Sequence, residues 1–248
     1  MIGIGTALNV TAVLVGATIG TLLSHRFPER TRDVVTDSLG MTTLLIAAMS
    51  TASVQEGALQ AAVGTSAPVL IILGALLIGG VVGSLLNLEL RLESLGASLQ
   101  RRLTREQTAT EERLRFVEGF VSASLIFSVG PLAILGSLSD GLGRGINQLV
   151  LKSTLDLFTA LAFAASFGWG VAAAALSVLM VQGSLTLLGF ALGAVLPEAH
   201  VAALTATGGL LLAGVGLRLL RIKDFPTGDL LPALPITLLL AQLVVMLR

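Results

Sequence analysis

The chain has 248 residues, 54% of them hydrophobic and 12% charged, with mean hydropathy +0.92 and zero formal net charge. Soluble domains carry about 25% charged residues, so this composition points away from an ordinary soluble fold, and the even charge balance gives no sign of a nucleic-acid partner. The absence of cysteine excludes disulfides, thiolate metal sites and cysteine nucleophiles.

A membrane-spanning helix needs roughly 20 apolar residues. Eight runs meet or approach that length, at 3–23, 34–54, 68–88, 117–138, 146–167, 170–190, 200–219 and 229–247. They do not alternate in segments of about ten residues, as barrel strands would. The expectation is therefore an all-α polytopic membrane protein forming a single membrane domain over 1–248.

The opening MIGIGTALNV lacks the basic stretch of a signal peptide and reads as a retained first span carrying a polar residue, Asn9. The second run has Asp37 near its start. Between the third and fourth runs, 89–115 is polar. There Leu88, Leu92, Leu95, Leu99 and Leu103 recur at helical spacing opposite Arg91, Glu93, Arg101 and Arg102. This predicts an amphipathic connector on the membrane or protein surface, with a plain solvated linker as the alternative.

The fourth run contains Gly130-Pro131, where proline removes a backbone hydrogen bond and breaks or kinks the helix. Ser124, Ser128, Ser137 and Asp140 accompany it. The GLGRG turn after Asp140 follows no strand and is not a phosphate loop. The fifth run holds Lys152 and Asp156 four residues apart, with Gln148 and Thr159 on the same helical stripe. The sixth holds Gln182. His25 and His200 fall at span edges, too few for a histidine metal centre, and no cofactor is identified.

Loop charge sets the expected orientation. Arg26, Arg30 and Arg32 in the first loop, Arg91, Arg101, Arg102, Arg105, Arg113 and Arg115 in the third, and Arg218, Arg221 and Lys223 in the seventh share one side. Only Arg144 and Arg248 lie opposite. Both termini are expected outside.

The two ends of the chain also resemble each other. A shift of 169 positions lays Gly20 on Gly189, Pro28-Glu29 on Pro197-Glu198, Thr36 on Thr205 and Gly40 on Gly209. After a two-residue gap, Ala67-Pro68 falls near Leu234-Pro235. Spans 1–3 (3–88) and 6–8 (170–247) would then be inverted repeats around the central spans 4–5 (117–167). In transporters built this way the site lies near the midplane at the repeat interface.

At 1.5 Å per helical residue, Lys152 lies about 9 Å and Asp156 about 15 Å from the outer face, Gln182 roughly 12 Å and Asn9 roughly 8–9 Å. Pro131 and Ser128 fall at a similar level. Asn9, Ser128, Pro131, Asp140, Lys152, Asp156 and Gln182 are therefore the expected ion- or solute-binding residues, in the outer half to midplane between spans 1, 4, 5 and 6. Each has a structural alternative. Lys152 and Asp156 can simply neutralise each other, and Asn9 and Gln182 can bond neighbouring helices. Gly16-xxx-Gly20, Gly79-xxx-Gly83 and Gly189-xxx-Gly193 permit close packing within the chain or in a homo-oligomer. No catalytic constellation is present, with neither a GxSxG nor an HExxH motif.

GTALN at Gly5–Asn9, the PERTRD turn, GPLAILGSLSDG from Gly130, LKSTLD from Leu151 to Asp156 and Gln182-Gly183-Ser184 resemble the bacterial inner-membrane family catalogued as domain of unknown function 554. The resemblance covers essentially the whole chain. It implies a bacterial, polytopic inner-membrane protein and carries no activity with it. The residues favour a secondary transporter or facilitator of a small ion or polar solute. An oligomeric channel and a non-transporting assembly or sensor protein docking through 89–115 stand as alternatives, and a membrane enzyme comes last.

Overall fold

The computed structural model describes residues 2–24, 28–91, 94, 98, 110–128, 131–192 and 197–248. All of its regular structure is helical: α1 Ile4–Ser24, α2 Glu29–Thr51, α3 Gly57–Val63, α4 Ala67–Leu85, α5 Thr110–Ser128, α6 Pro131–Gly141, α7 Asn147–Phe167, α8 Trp169–Leu192, α9 Glu198–Leu219 and α10 Ala233–Leu247. A short 3-10 turn, Ala52–Gln55, extends α2. Six of these segments are long and apolar enough to cross a bilayer, in line with a polytopic membrane protein.

Two of the eight expected spans differ in form. The fourth is a broken pair, α5 and α6, bent by 74°. α5 ends at Ser128 and α6 starts at Pro131, where proline is tolerated as the first residue of a new helix because its missing N–H has no helical acceptor there. The eighth is shorter than expected, because turns occupy the stretch before Pro232 and α10 starts only at Ala233. Its 15 residues rise about 22 Å, short of a bilayer core of about 30 Å. The α3 helix was not anticipated. Leu59 and Val63 pack there with Ile71, Ala199, Ala202, Ala203 and Ala241. Most of the expected 89–115 connector, including Leu92, Leu95, Leu99 and Leu103, lies outside the described residues, as do His25, Gly130 and Gly193.

The helices divide into two compact units, Met1–Leu39 with Leu92–Val195, and Gly40–Arg91 with Leu196–Arg248. In the first unit α1 and α7 run parallel. Gly16 lies against the Leu157 carbonyl and Gly20 against that of Leu161, so residue numbers rise together along the two helices. A side chain at either glycine would overlap that backbone, which explains the small residues. Gly168 alone separates α7 from α8; its φ of 68° lets the chain reverse where a side chain would be strained. α5 runs parallel to α8, with Phe116 beside Gly170 and Ser124 Oγ 2.9 Å from Ser177 Oγ.

In the second unit α9 is the central helix and is buried along most of its length. It lies antiparallel to the later part of α2, with Thr51 near Gly209 and Gly40 near Gly216. α4 and α10 are also antiparallel: Gly79 meets Ala233, and Gly83 meets Asp229 just before α10. The Gly16/Gly20 and Gly79/Gly83 faces are thus taken up inside the chain. Glu89 ties this unit together, accepting from Arg218 Nη1 and the Gly228 N–H at 2.6 Å each, while its own N–H donates to Asp229 Oδ1 at 2.9 Å.

Candidate functional site

The buried face of α7 carries Leu149, Lys152, Ser153, Asp156, Ala160, Phe163 and Ala164. This corrects the expected polar stripe at its ends, since Gln148 is exposed and Thr159 is only half-buried, its hydroxyl donating to the Leu155 carbonyl. Lys152 and Asp156 are 7% and 5% exposed. Lys152 Nζ donates to both carboxylate oxygens of Asp156, at 3.0 and 2.7 Å. The pair is self-neutralised, as a charge pair within a spanning helix has to be.

Asn9 joins this pair from α1. It is fully buried, and its Nδ2 donates to Asp156 Oδ2 at 3.0 Å. An ionised carboxylate only accepts hydrogen bonds, so this contact sets the orientation of the amide and directs Asn9 Oδ1 elsewhere. Asn9 Oδ1 has no partner among the described residues.

Gln182 on α8 is also fully buried, and neither its Oε1 nor its Nε2 has a partner among the described residues. Its level follows from its neighbours. Thr6 Oγ1 and Thr186 Oγ1 lie 3.0 Å apart across α1 and α8. α8 reverses the direction of α7 and hence of α1, so one turn onward from Thr6 and one turn back from Thr186 lead to Asn9 and Gln182 on facing stripes. The parallel register of α5 and α8 brings Ser128, four residues beyond Ser124, to the level of Gln182. Ser128 Oγ is buried without a partner among the described residues, and so is Ser137 Oγ on α6.

Asp140 occupies a different place from the charged pair. Its carboxylate accepts from the backbone N–H groups of Gly3 at 3.1 Å, Gly5 at 3.0 Å and Thr6 at 3.3 Å. The first N–H groups of a helix have no intrahelical acceptor and sit at the positive end of its dipole. Asp140 supplies both acceptor and negative charge, capping α1 from a distant part of the chain. Pro131 starts α6, the helix that carries Asp140 to that position.

Asn9, Lys152 and Asp156 are therefore in direct contact, Gln182 and Ser128 share their level, and Asp140 holds the start of α1. The Thr6–Thr186 pair was missed in the sequence. The available signal was that both threonines lie one turn from Asn9 and Gln182 on the same stripes. Within this constellation the charges cancel internally, while buried amide and hydroxyl groups retain unused hydrogen-bonding capacity. Among the described residues, no group of three or more histidine, aspartate or glutamate side chains is placed to hold a metal ion.

Residues 4–242 match the family described as "Protein of unknown function (DUF554)". The chain is 33% identical over 236 residues to "Uncharacterized protein YqgA" of Escherichia coli (strain K12), covering 93% of each chain. It is 29% identical over 230 residues to "Uncharacterized membrane protein YdfK" of Bacillus subtilis (strain 168), covering 93% of this chain and 92% of the relative. No solved structure matches the chain.

Proposed function

The chain belongs to the protein family of unknown function DUF554, and from that premise we propose that it is a secondary transporter or facilitator for a small ion or polar solute. The observation carrying this reading is Gln182, an entirely buried amide with no partner among the described residues, level with the Asn9–Asp156–Lys152 contact. An unpaired buried amide costs about 1–3 kcal/mol, and a helix built only for packing would place leucine there. The 74° bend between α5 and α6 beside it adds support, because a helix interrupted at membrane depth is tolerated against protein or a water-lined path.

The inverted-repeat reading is part of this proposal. The helices it pairs are α1 with α8, α2 with α9 and α4 with α10. α1 packs with α8 in the first unit, and in the second α9 packs with the Gly40–Thr51 part of α2 and α4 with α10, each antiparallel as inverted repeats require. The parallel course of α1 and α7 accords with the charge-based topology, in which both cross from outside to inside an inner membrane and both termini lie outside.

Reconstitution into liposomes tests the reading. Vesicles holding the protein should exchange a subset of small ions and polar metabolites faster than protein-free vesicles, and Lys152→Met, Asp156→Asn and Gln182→Leu should each slow that exchange. Exchange no faster than in protein-free vesicles across the whole set would overturn it.

A further inference from the structure

We infer that the solute is a small, uncharged molecule carrying both a hydrogen-bond donor and a carbonyl acceptor, of the amide or urea class. This rests on the transport reading above and specifies what that site takes.

Charge supports the inference first. Among the described residues, the buried ionisable side chains of the first unit are Asp140, Lys152 and Asp156. Lys152 and Asp156 cancel each other at 2.7 Å, and Asp140 is matched by three backbone N–H groups at the positive end of α1. Among the described buried residues no unbalanced charge remains to offset that of an ion brought among these helices, and an uncompensated ion in a poorly polarisable interior is strongly disfavoured.

Hydrogen-bond chemistry supports it second. The groups without a partner among the described residues are of both kinds: Asn9 Oδ1 and Gln182 Oε1 accept, Gln182 Nε2 donates, and Ser128 Oγ does either. A cation would face the Gln182 amino group, and an anion would face two carbonyl oxygens. A planar amide satisfies both. Its N–H donates to Gln182 Oε1 while its carbonyl accepts from Nε2, a two-point contact, and a second N–H is left for Asn9 Oδ1. Asn9 is suited to this because Asp156 holds its amino group and so fixes the direction of its carbonyl. Sites that hydrogen-bond a solute in this way strongly reject analogues lacking the matching group.

The test is stopped-flow light scattering on liposomes containing the full chain, with urea and acetamide as probes, and ion-sensitive dyes reporting sodium, potassium and chloride in the same vesicles. Urea and acetamide should equilibrate at least tenfold faster than in protein-free vesicles, acetamide should compete with urea in the unaltered protein, and the three ions should not move faster than in protein-free vesicles. Gln182→Leu and Gln182→Met, each checked for folding by size exclusion, should lower urea flux at least tenfold; the competition result needs neither variant. Ion flux without amide flux would overturn the solute class and leave transport standing. Amide flux unchanged in both folded Gln182 variants would overturn the site. No flux of any probe would overturn the amide inference, while exchange of other solutes in the wider screen decides the transport reading separately.

Discussion

Asn9 on α1 donates its amino group to Asp156 on α7 at 3.0 Å, across two parallel helices held close by Gly16 and Gly20. The contact makes Asp156 the common acceptor of a cation one turn away on its own helix and a neutral donor on a neighbour. Disturbing either side therefore exposes the other to an unpaired state.

Removing one member of the charged pair should be costly and removing both should not. Lys152→Met leaves the buried Asp156 carboxylate with Asn9 as its remaining donor. Breaking a buried ion pair in this way costs about 3–5 kcal/mol. In Lys152→Met combined with Asp156→Leu no charge is left to solvate, and most of that loss should return. Thermal unfolding in detergent of the two single variants and the double variant measures the coupling directly. Additive losses would show that the pair is not coupled as its geometry indicates.

Asp140→Ala should act locally, at the start of α1. It strips three backbone N–H groups of their acceptor and removes a negative charge from the positive end of the helix. Loss of a capping side chain costs about 0.5–2 kcal/mol. Hydrogen exchange at Gly5 and Thr6 should quicken markedly, while the middle of α1 near Val13 and Ala17, both fully buried, stays protected. Uniform quickening along the helix would point to global unfolding in place of a lost cap.

These two regions differ in how far they were legible in the sequence. Lys152 and Asp156 announced themselves because two charges four residues apart in an apolar run stand on one helix face by geometry alone. Pro131 marked the break in the fourth span for an equally local reason. The role of Asp140 left no such trace, since its acceptors are backbone groups at the other end of the chain and any residue can supply a backbone N–H. The Thr6–Thr186 contact was hidden likewise, because single threonines in apolar helices commonly bond their own carbonyls, as Thr11 and Thr18 do. The α3 helix is too short to show helical periodicity and is held by its packing against Ala199, Ala202 and Ala203.

In the second unit, Glu89→Ala should destabilise more than an ordinary surface substitution. Its carboxylate accepts from Arg218 and from the Gly228 N–H, both at 2.6 Å. Arg218 keeps Asp224, whose side chain is largely exposed and contributes little. Hydrogen bonds to a charged group are worth about 1.5–3 kcal/mol, so a loss of that order is expected in chemical denaturation. Glu89→Gln should recover part of it, because one amide oxygen can still accept from Gly228. Equal losses in the two variants would mean that the charge on Glu89, and not its acceptor geometry, does the holding.

Gln182→Leu should separate stability from activity. The native side chain is fully buried with neither amide atom bonded among the described residues, and the residues on either side of it in α8, Val181 and Gly183, are apolar. Replacing an unsatisfied amide by a hydrocarbon of similar size removes a desolvation penalty of about 1–3 kcal/mol, so the variant should unfold at a higher temperature than the unaltered chain. The same change deletes the donor and acceptor assigned to the solute, so exchange through reconstituted vesicles should fall at least tenfold. A residue serving only to hold helices together would behave in the opposite way, losing stability when truncated. Higher thermal stability together with lost flux is the pattern expected of a polar group retained for binding at a cost to the fold.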